Sequence, residues 1–299
     1  MDPNKYISQG HGISHRFGGL TDPYGAEKNA CVVLLQVPFD KTSTYQKGSS
    51  EGPEALIEAS RNMELYDIET GSEVFLNGIY TASPIACGTT EEMLLETYKA
   101  AHHYIEEGKF VVTLGGEHTI SYGAIKAHAE KYAPLTILQF DAHADLQPSY
   151  EDNPWSHASV MSRVKELPNI SKTVSVGIRS LSSEELPYLA KENTFFAHDI
   201  FETDLWMDQA LSLLSGNVYI TFDLDAFDSA IMPSTGTPEP GGLQWNPTLK
   251  FLKMVAAKTN LVGFDVVELC PNPYNIAPDY LAAKLVYKLL SYKFQQTAK

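Results

Sequence analysis

Short apolar segments that are rich in β-branched residues alternate along this chain with longer segments of helical periodicity. Most of the short segments are apolar throughout, which is typical of strands that are buried on both faces of a sheet. Strands that alternate with helices in this way predict a mostly parallel sheet of about eight strands. The candidate strands are residues 30–37, 78–81, 110–114, 135–140, 173–178, 194–197, 217–222 and 261–267.

The candidate helices between these strands carry start and stop signals. Pro53 suits the first turn of a helix, because the N–H that proline lacks would have no intrahelical partner there. Residues 90–106 begin with acidic side chains, continue with apolar residues at helical spacing and precede Gly108. The predicted helices are residues 53–62, 90–106, 121–132, 156–165, 183–191, 206–214, 246–258 and 277–293. We therefore predict a single three-layer α/β/α domain over residues 1–299, with residues 1–28 as an N-terminal extension.

Composition and charge bear on the location and the partners of the chain. The formal net charge of −15 disfavours a nucleic-acid partner, since such proteins usually carry basic patches. The polar amino terminus and the lack of an apolar run of ~20 residues give no sign of a signal peptide or membrane span. Three cysteines without CxxC spacing indicate reduced thiols. We expect a soluble cytoplasmic protein.

Three polar clusters follow directly after candidate strands. Ligands of open α/β sheets bind beyond the carboxyl ends of the strands, so all three clusters lie where a site is expected. In an extended chain, residues two apart point the same way, so the charged side chains within a cluster can converge. The clusters are Leu114-Gly115-Gly116-Glu117-His118, Asp141-Ala142-His143-Ala144-Asp145 and Asp223-Leu224-Asp225.

Together these clusters predict a centre for two divalent metal ions. Mixed carboxylate and imidazole ligands suit Mn, Co, Ni or Zn, and bridging carboxylates favour two ions about 3.5–4 Å apart. Each cluster alone can also be explained without a metal ion: a lone DxD often caps a turn, and a histidine after glycines can be a surface residue. DxHxD is more specific, because adjacent buried carboxylates are costly without a cation. The predicted ligands are His118, Asp141, His143, Asp145, Asp223 and Asp225.

Three segments of the chain resemble the signature segments of the arginase–agmatinase, or ureohydrolase, family. They are LGGEHTISYGAIKA, ILQFDAHAD and TFDLDAFDSAIMPSTGTPEPGG, and they occur in the family's order. The Val37-Pro38-Phe39-Asp40 segment and the later Gly52-Pro53 also resemble the amino-terminal part of agmatinases. The resemblance covers nearly the whole chain and implies a single α/β domain with two Mn²⁺ ions, in a trimer or hexamer.

The resemblance also implies how the ligands divide between the two ions. It places His118, Asp141, Asp145 and Asp225 around one ion, and His143, Asp141, Asp223 and Asp225 around the other. Two cations lower the pKa of a shared water, which gives a hydroxide nucleophile at neutral pH. Such a nucleophile can attack a planar guanidinium carbon, and by the family pattern Asp145 would transfer its proton.

Further site residues follow from the same resemblance. His157 matches a histidine that shuttles protons, a role for which an imidazole pKa near neutrality is suited. Glu268 matches a glutamate that binds the guanidinium by paired charge-assisted hydrogen bonds. Without the family match, His157 would be read as a loop histidine and Glu268 equally well as a structural carboxylate. Thr237 is expected near the substrate and Asp265 behind the metal ligands, whereas Cys270 is interpreted as a packing residue.

The chain departs from the arginase pattern where arginases hold the amino-acid end of arginine. Arginases carry an asparagine two residues after the last aspartate of DxHxD, and this chain has Gln147, which we expect at the substrate. The stretch after Arg179 lacks the aspartate expected in arginases, and Ser229 replaces a proline common in the family. The first two departures favour a substrate without an α-amino acid head group.

Agmatine, hydrolysed to putrescine and urea, is the substrate that these features favour. Guanidinobutyrate, free guanidine, formiminoglutamate and arginine are alternatives within the same chemistry. A deacetylase-like amidohydrolase is a more distant alternative, but that class keeps one metal and lacks the full ligand set. A metal-binding relative without catalysis is another, although such proteins usually lose ligands.

Overall fold

Eight parallel strands form one sheet in the computed structural model, which describes residues 15–214 and 216–295. The strand order across the sheet is β2-β1-β3-β8-β7-β4-β5-β6. All eight predicted strands are present, and the predicted α/β fold with a parallel sheet is confirmed. The strands are β1 (Val32–Val37), β2 (Ile79–Thr81), β3 (Phe110–Gly115), β4 (Leu135–Phe140), β5 (Ile170–Ile178), β6 (Thr194–Phe196), β7 (Asn217–Asp223) and β8 (Asn260–Val267).

Helices cover both faces of this sheet. They are α1 (Gly52–Ser60), α2 (Thr90–Glu106), α3 (Ser121–Lys131), α4 (Val160–Lys165), α5 (Ala197–Ile200), α6 (Leu205–Leu213), α7 (Trp245–Lys258) and α8 (Ala277–Phe294). Alternate residues of a strand enter opposite cores: Val32 and Leu34 pack with residues of α1, α7 and α8, whereas Val33 and Leu35 pack with residues of α2. This explains why the strands are apolar throughout.

Two of the predicted helices differ from the structure. Residues 183–191 form no α-helix; they contain a turn and a short 3-10 helix, Leu186–Tyr188. Pro187 lacks the N–H that a helix interior needs, and the Glu185 carboxylate instead accepts hydrogen bonds from the Ser182 and Leu146 N–H groups. The helix predicted over 156–165 begins only at Val160, after a 3-10 turn. The short helix α5 was not predicted.

The N-terminal extension is partly described. Residues 1–14 lie outside the described residues, whereas Phe17 and Leu20 are buried in the core next to α1 and α8. The Gly18 N–H donates to Ser60 Oγ of α1 at 2.8 Å. The described part of the extension therefore packs against the domain. Within residues 15–214 and 216–295, no helix is long and apolar enough to cross a membrane.

The four central strands place the polar clusters at one edge of the sheet. β3, β8, β7 and β4 are neighbours, with Leu114 paired to Val266, Val266 to Phe222, and Phe222 to Phe140. Because all four strands run in parallel, the residues that follow them emerge side by side. The three clusters and Glu268 consequently meet at the carboxyl edge of the sheet.

Candidate metal centre

The first group of candidate ligands surrounds the imidazole of His118. His118 Nδ1 lies 3.0 Å from Asp145 Oδ2, 3.2 Å from Asp141 Oδ2 and 3.4 Å from Asp223 Oδ2. All four side chains are buried. One imidazole nitrogen therefore faces three carboxylate oxygens.

The second group surrounds His143 and shares Asp141 with the first. His143 Nδ1 lies 2.9 Å from Asp225 Oδ2 and 3.7 Å from Asp141 Oδ1. Ligand atoms of His118, Asp141 and Asp145 lie within 4.8 Å of one another, and so do those of Asp141, His143 and Asp225. The structure thus brings all six predicted ligands together in two adjoining groups, with Asp141 between them.

The contacts of Asp223 and Asp225 differ from the partition that the resemblance implied. Asp223 contacts His118, whereas Asp225 contacts His143 and its Oδ1 accepts the Ala142 N–H at 3.0 Å. The reason is local: Leu224–Ala226 form a 3-10 turn, so the two aspartates do not point the same way as they would in an extended strand. Asp223 accordingly lies toward the His118 group and Asp225 toward the His143 group, with Asp141 shared by both.

Two acidic residues of the site hold a left-handed backbone conformation. Asp145 has φ 52° and Glu268 has φ 65°. For residues other than glycine, such a conformation costs on the order of 1–3 kcal/mol and tends to occur at functional sites. Hydrogen bonds hold both: the Asp145 carbonyl accepts the Met161 N–H, and the Glu268 N–H donates to the Gly116 carbonyl. Asp145 therefore joins the centre through a turn, not through strand alternation.

Burial and mutual repulsion raise the pKa values of most of these carboxyl groups. Burial raises the pKa of Asp141 and Asp145, and that of Asp223 well above its usual range. Neighbouring carboxylates raise all three further. Burial lowers the pKa of His143, but the surrounding carboxylates, Asp225 first, outweigh this effect and raise it to about 11. These carboxyl groups therefore need nearby positive charge if they are to be ionised together.

The proton arrangement of His118 leaves its metal-facing nitrogen free to coordinate. The Thr221 hydroxyl donates to Asp265 Oδ1 at 2.8 Å, so its oxygen accepts from His118 Nε2–H at 2.9 Å. His118 Nδ1 then carries a lone pair and faces carboxylate oxygens, with no hydrogen-bond donor. Without a metal ion, burial lowers the pKa of His118, but the carboxylates, Asp141 first, outweigh this effect and raise it well above its usual range. Either a proton or a metal ion must therefore lie between these atoms. These residues fit a pair of divalent ions, with Asp265 behind His118 as expected.

Among the described residues, no lysine or arginine forms a salt bridge with the carboxylates of the six candidate ligands. Arg179, which follows β5, donates instead to the main-chain carbonyls of Asp225 (2.7 Å), Glu239 (2.8 Å) and Pro240 (3.0 Å). Arg179 thereby positions the backbone that carries Asp225. No sequence pattern indicates this role, since the carbonyls of Glu239 and Pro240 lie on a distant loop.

A cavity of about 200 Å³ opens onto the two ligand groups. Every residue predicted to bind substrate lines it: Gln147, His157, Thr237 and Glu268. The carboxylates in its wall come from Asp145, Glu185, Asp223, Asp225 and Glu268, and no lysine or arginine among the described residues lines it. A cavity of this charge is suited to a cationic ligand.

Glu268 is directed into this cavity and is only 7% exposed. Its Oε1 accepts the His118 backbone N–H at 2.7 Å. Burial, and after it the nearby Glu117, raises the pKa of Glu268 well above its usual range. A cation in the cavity would restore the ionised form, which suits the guanidinium partner predicted for this residue.

His157 lies on the cavity wall in the 3-10 turn before α4. Burial lowers the pKa of its imidazole, so the ring is neutral at rest near neutral pH. Its Nδ1 lies 3.1 Å from Thr42 Oγ1. No sequence pattern indicates Thr42 or the role of Glu117, which accepts hydrogen bonds from the backbone N–H groups of Thr42 and Ser43.

Cys270 is buried behind the cavity, as a packing residue would be. Its Sγ–H donates to the Lys47 carbonyl at 3.2 Å, and its sulfur accepts from Gln46 Nε2 at the same distance. These contacts hold the segment before α1 against the segment after β8 that carries Glu268.

Comparison with known proteins shows similarity over most of the chain. A family model described as the arginase family matches residues 30–291. An N(1)-aminopropylagmatine ureohydrolase of Thermus thermophilus is 37% identical over 93% of this chain and 94% of its own. An agmatinase of Bacillus subtilis is 34% identical over 82% of this chain and 85% of its own. The crystal structure of the agmatine ureohydrolase of Thermoplasma volcanium superimposes with a TM-score of 0.83, at 30% identity, over 90% of this chain and 92% of that one.

Proposed function

This chain belongs to the arginase family and is a ureohydrolase, and from that premise we propose that it hydrolyses a linear guanidino amine. We place N(1)-aminopropylagmatine first and agmatine second. The relatives of Synechocystis and Thermus thermophilus that are 36% and 37% identical carry the first name. This refines the expectation from the sequence, which favoured agmatine.

The observation that carries the proposal is the charge of the cavity wall. It holds carboxylates from five residues and, among the described residues, no lysine or arginine. Asp145, Asp223 and Asp225 would face the metal ions, which leaves Glu185 and Glu268 as the carboxylates that attract a cationic substrate. Guanidinobutyrate, formiminoglutamate and arginine would each bring a carboxylate into it without a cationic partner, which costs several kcal/mol.

The six ligands would hold two divalent ions, Mn²⁺ first, with Co²⁺, Ni²⁺ or Zn²⁺ as alternatives. His118, Asp145 and Asp223 would serve one ion and His143 and Asp225 the other, with Asp141 between them. When bound, such a pair supplies hydroxide from water at neutral pH and stabilises developing negative charge.

The remaining chemistry belongs to three residues of the cavity. Glu268 would hold the planar guanidinium by two charge-assisted hydrogen bonds and so set the position of its carbon. Asp145 would take the proton that the nucleophile releases. His157, neutral at rest, would accept this proton from Asp145 at Nε2 and give it to the departing amine nitrogen as the C–N bond breaks. The products are urea and the free amine.

The two alternative classes lack support in the geometry. A deacetylase-like amidohydrolase uses one metal, and one of the two ligand groups would then have no role. A metal-binding protein without catalysis would need no guanidinium-sized cavity with a buried glutamate in its wall. Both ligand groups, Glu268 and His157 instead surround one cavity.

A panel of guanidino compounds tests the proposed function. The chain is loaded with Mn²⁺, and urea is measured from N(1)-aminopropylagmatine, agmatine, arginine and guanidinobutyrate. We expect kcat/KM for the two amines to exceed that for the carboxylated compounds by roughly 10²-fold or more, from the unpaired carboxylate. A preference for a carboxylated compound, or release of ammonia or formamide in place of urea, would contradict the proposal.

A further inference from the structure

We propose that Thr42 is a positioning residue that determines which nitrogen of His157 exchanges protons, with the carboxylate of Glu117 supporting it. The inference rests on the proposed function, since His157 moves a proton only if the chain is a hydrolase. Thr42 lies between β1 and α1, far in the sequence from both residues that it contacts.

Three contacts converge on the Thr42 hydroxyl. Its oxygen accepts the His157 backbone N–H at 3.0 Å, lies 3.1 Å from His157 Nδ1, and lies 3.0 Å from Glu117 Oε1. A hydroxyl can donate one hydrogen bond and accept two. The three contacts therefore use all of the hydroxyl's hydrogen bonds if one partner accepts its proton and the other two donate to its oxygen.

Glu117 is the partner whose role is clearest. It is completely buried, and its Oε2 accepts the Thr42 N–H at 2.6 Å and the Ser43 N–H at 3.1 Å. Burial raises the pKa of Glu117, and the two backbone N–H bonds oppose this shift because they favour the ionised carboxylate. The Thr42 hydroxyl consequently donates its one proton to Glu117 Oε1.

This direction determines the tautomer of His157. Having donated to Glu117, the Thr42 oxygen can only accept, so its 3.1 Å contact with His157 Nδ1 is a hydrogen bond only when Nδ1 carries the proton. The Ser156 hydroxyl also lies near Nδ1, at the longer distance of 3.3 Å, and can accept from the same N–H. His157 Nε2 then holds the lone pair. Proton uptake and release are confined to Nε2, and the backbone N–H bond to Thr42 keeps the ring at the cavity wall.

Substitutions at Thr42 separate this role from a merely structural one. Thr42→Val keeps the shape and removes the hydroxyl, so we expect kcat to fall roughly 10- to 100-fold with KM nearly unchanged. Thr42→Ser keeps the hydroxyl and should recover most of the loss. Thr97→Val is the matched control, because Thr97 is a buried threonine of α2 whose hydroxyl has no partner among the described residues. It should leave kcat unchanged.

A double-mutant cycle with His157→Ala gives the decisive kinetic outcome. If Thr42 acts through His157, Thr42→Val should cost nothing further once the imidazole is gone. An equal loss in the His157→Ala background, or wild-type kcat in Thr42→Val, would overturn the proposal.

Imidazole nitrogen NMR of the Zn²⁺-loaded wild-type chain gives a readout that needs neither activity nor a folded variant. We expect the proton of His157 on Nδ1; a proton on Nε2 in the neutral ring would overturn the assignment. If no guanidino compound yields urea but Nδ1 is protonated, the proposed function fails while the positioning by Thr42 stands.

Discussion

Replacing Asp141 by asparagine should abolish urea release and reduce the bound metal to one ion per chain or fewer. Asp141 belongs to both ligand groups, and its two oxygens face different imidazoles, Oδ2 toward His118 and Oδ1 toward His143. Asparagine keeps the size but places an NH₂ group at one of these positions. Losing several kcal/mol of charge stabilisation corresponds to a reaction slower by roughly 10³-fold or more.

The asparagine also conflicts with the hydrogen bonds that orient Asp141. Oδ2 accepts from Gln139 Nε2 at 2.9 Å and Oδ1 accepts the His143 N–H at 2.7 Å, so the new NH₂ group would face a donor in either orientation. Metal content is measured by elemental analysis after gel filtration, beside urea release. Asp279→Asn is the matched control, since Asp279 is a buried aspartate at the start of α8. Full metal content in Asp141→Asn would refute the shared position of Asp141.

Replacing Glu268 by glutamine should remove activity while the metal content stays at the wild-type level. The glutamine carbonyl can still accept the His118 N–H, so the backbone at this strained position keeps its support. The guanidinium loses two charge-assisted hydrogen bonds, each worth about 1.5–3 kcal/mol. We expect kcat/KM to fall roughly 10²- to 10⁴-fold, at about 1.4 kcal/mol for each factor of ten.

The matched control is Glu58→Gln, which removes an exposed carboxylate of α1 that pairs with Arg61. It should leave kcat/KM and metal content unchanged. If Glu268→Gln retained activity with the preferred guanidino amine, Glu268 would not be the residue that binds the guanidinium. If it lost metal as well as activity, its role would lie in supporting His118.

The sheet could be predicted because its signal is local. Each strand is a short apolar segment buried on both faces, and β4 has the predicted bounds, Leu135–Phe140. The helix prediction for residues 183–191 was wrong because a contact distant in sequence, which helical periodicity does not reveal, determines the local structure. Its Glu185 is held by the N–H group of Leu146, a residue that the sequence places far away.

The residues of the site could be predicted from the sequence, but the division of the ligands between the two groups could not. The three clusters follow three strands, and parallel strands bring them together whatever the loops do. The division of Asp223 and Asp225 depended on whether the chain after β7 stays extended, and it turns instead. No sequence pattern could indicate Thr42, because its hydroxyl gains a role only when the fold brings Glu117 and His157 into contact with it.

The most direct test of a two-metal ureohydrolase is urea release measured as a function of bound metal in the wild-type chain. Metal-free protein is titrated with Mn²⁺ in the presence of N(1)-aminopropylagmatine and, in a parallel series, of agmatine, and bound metal and urea are measured in the same samples. We predict that urea release reaches its maximum only when two ions are bound per chain. Full activity with one ion per chain, or saturation with two ions and no urea from either guanidino amine, would contradict the account.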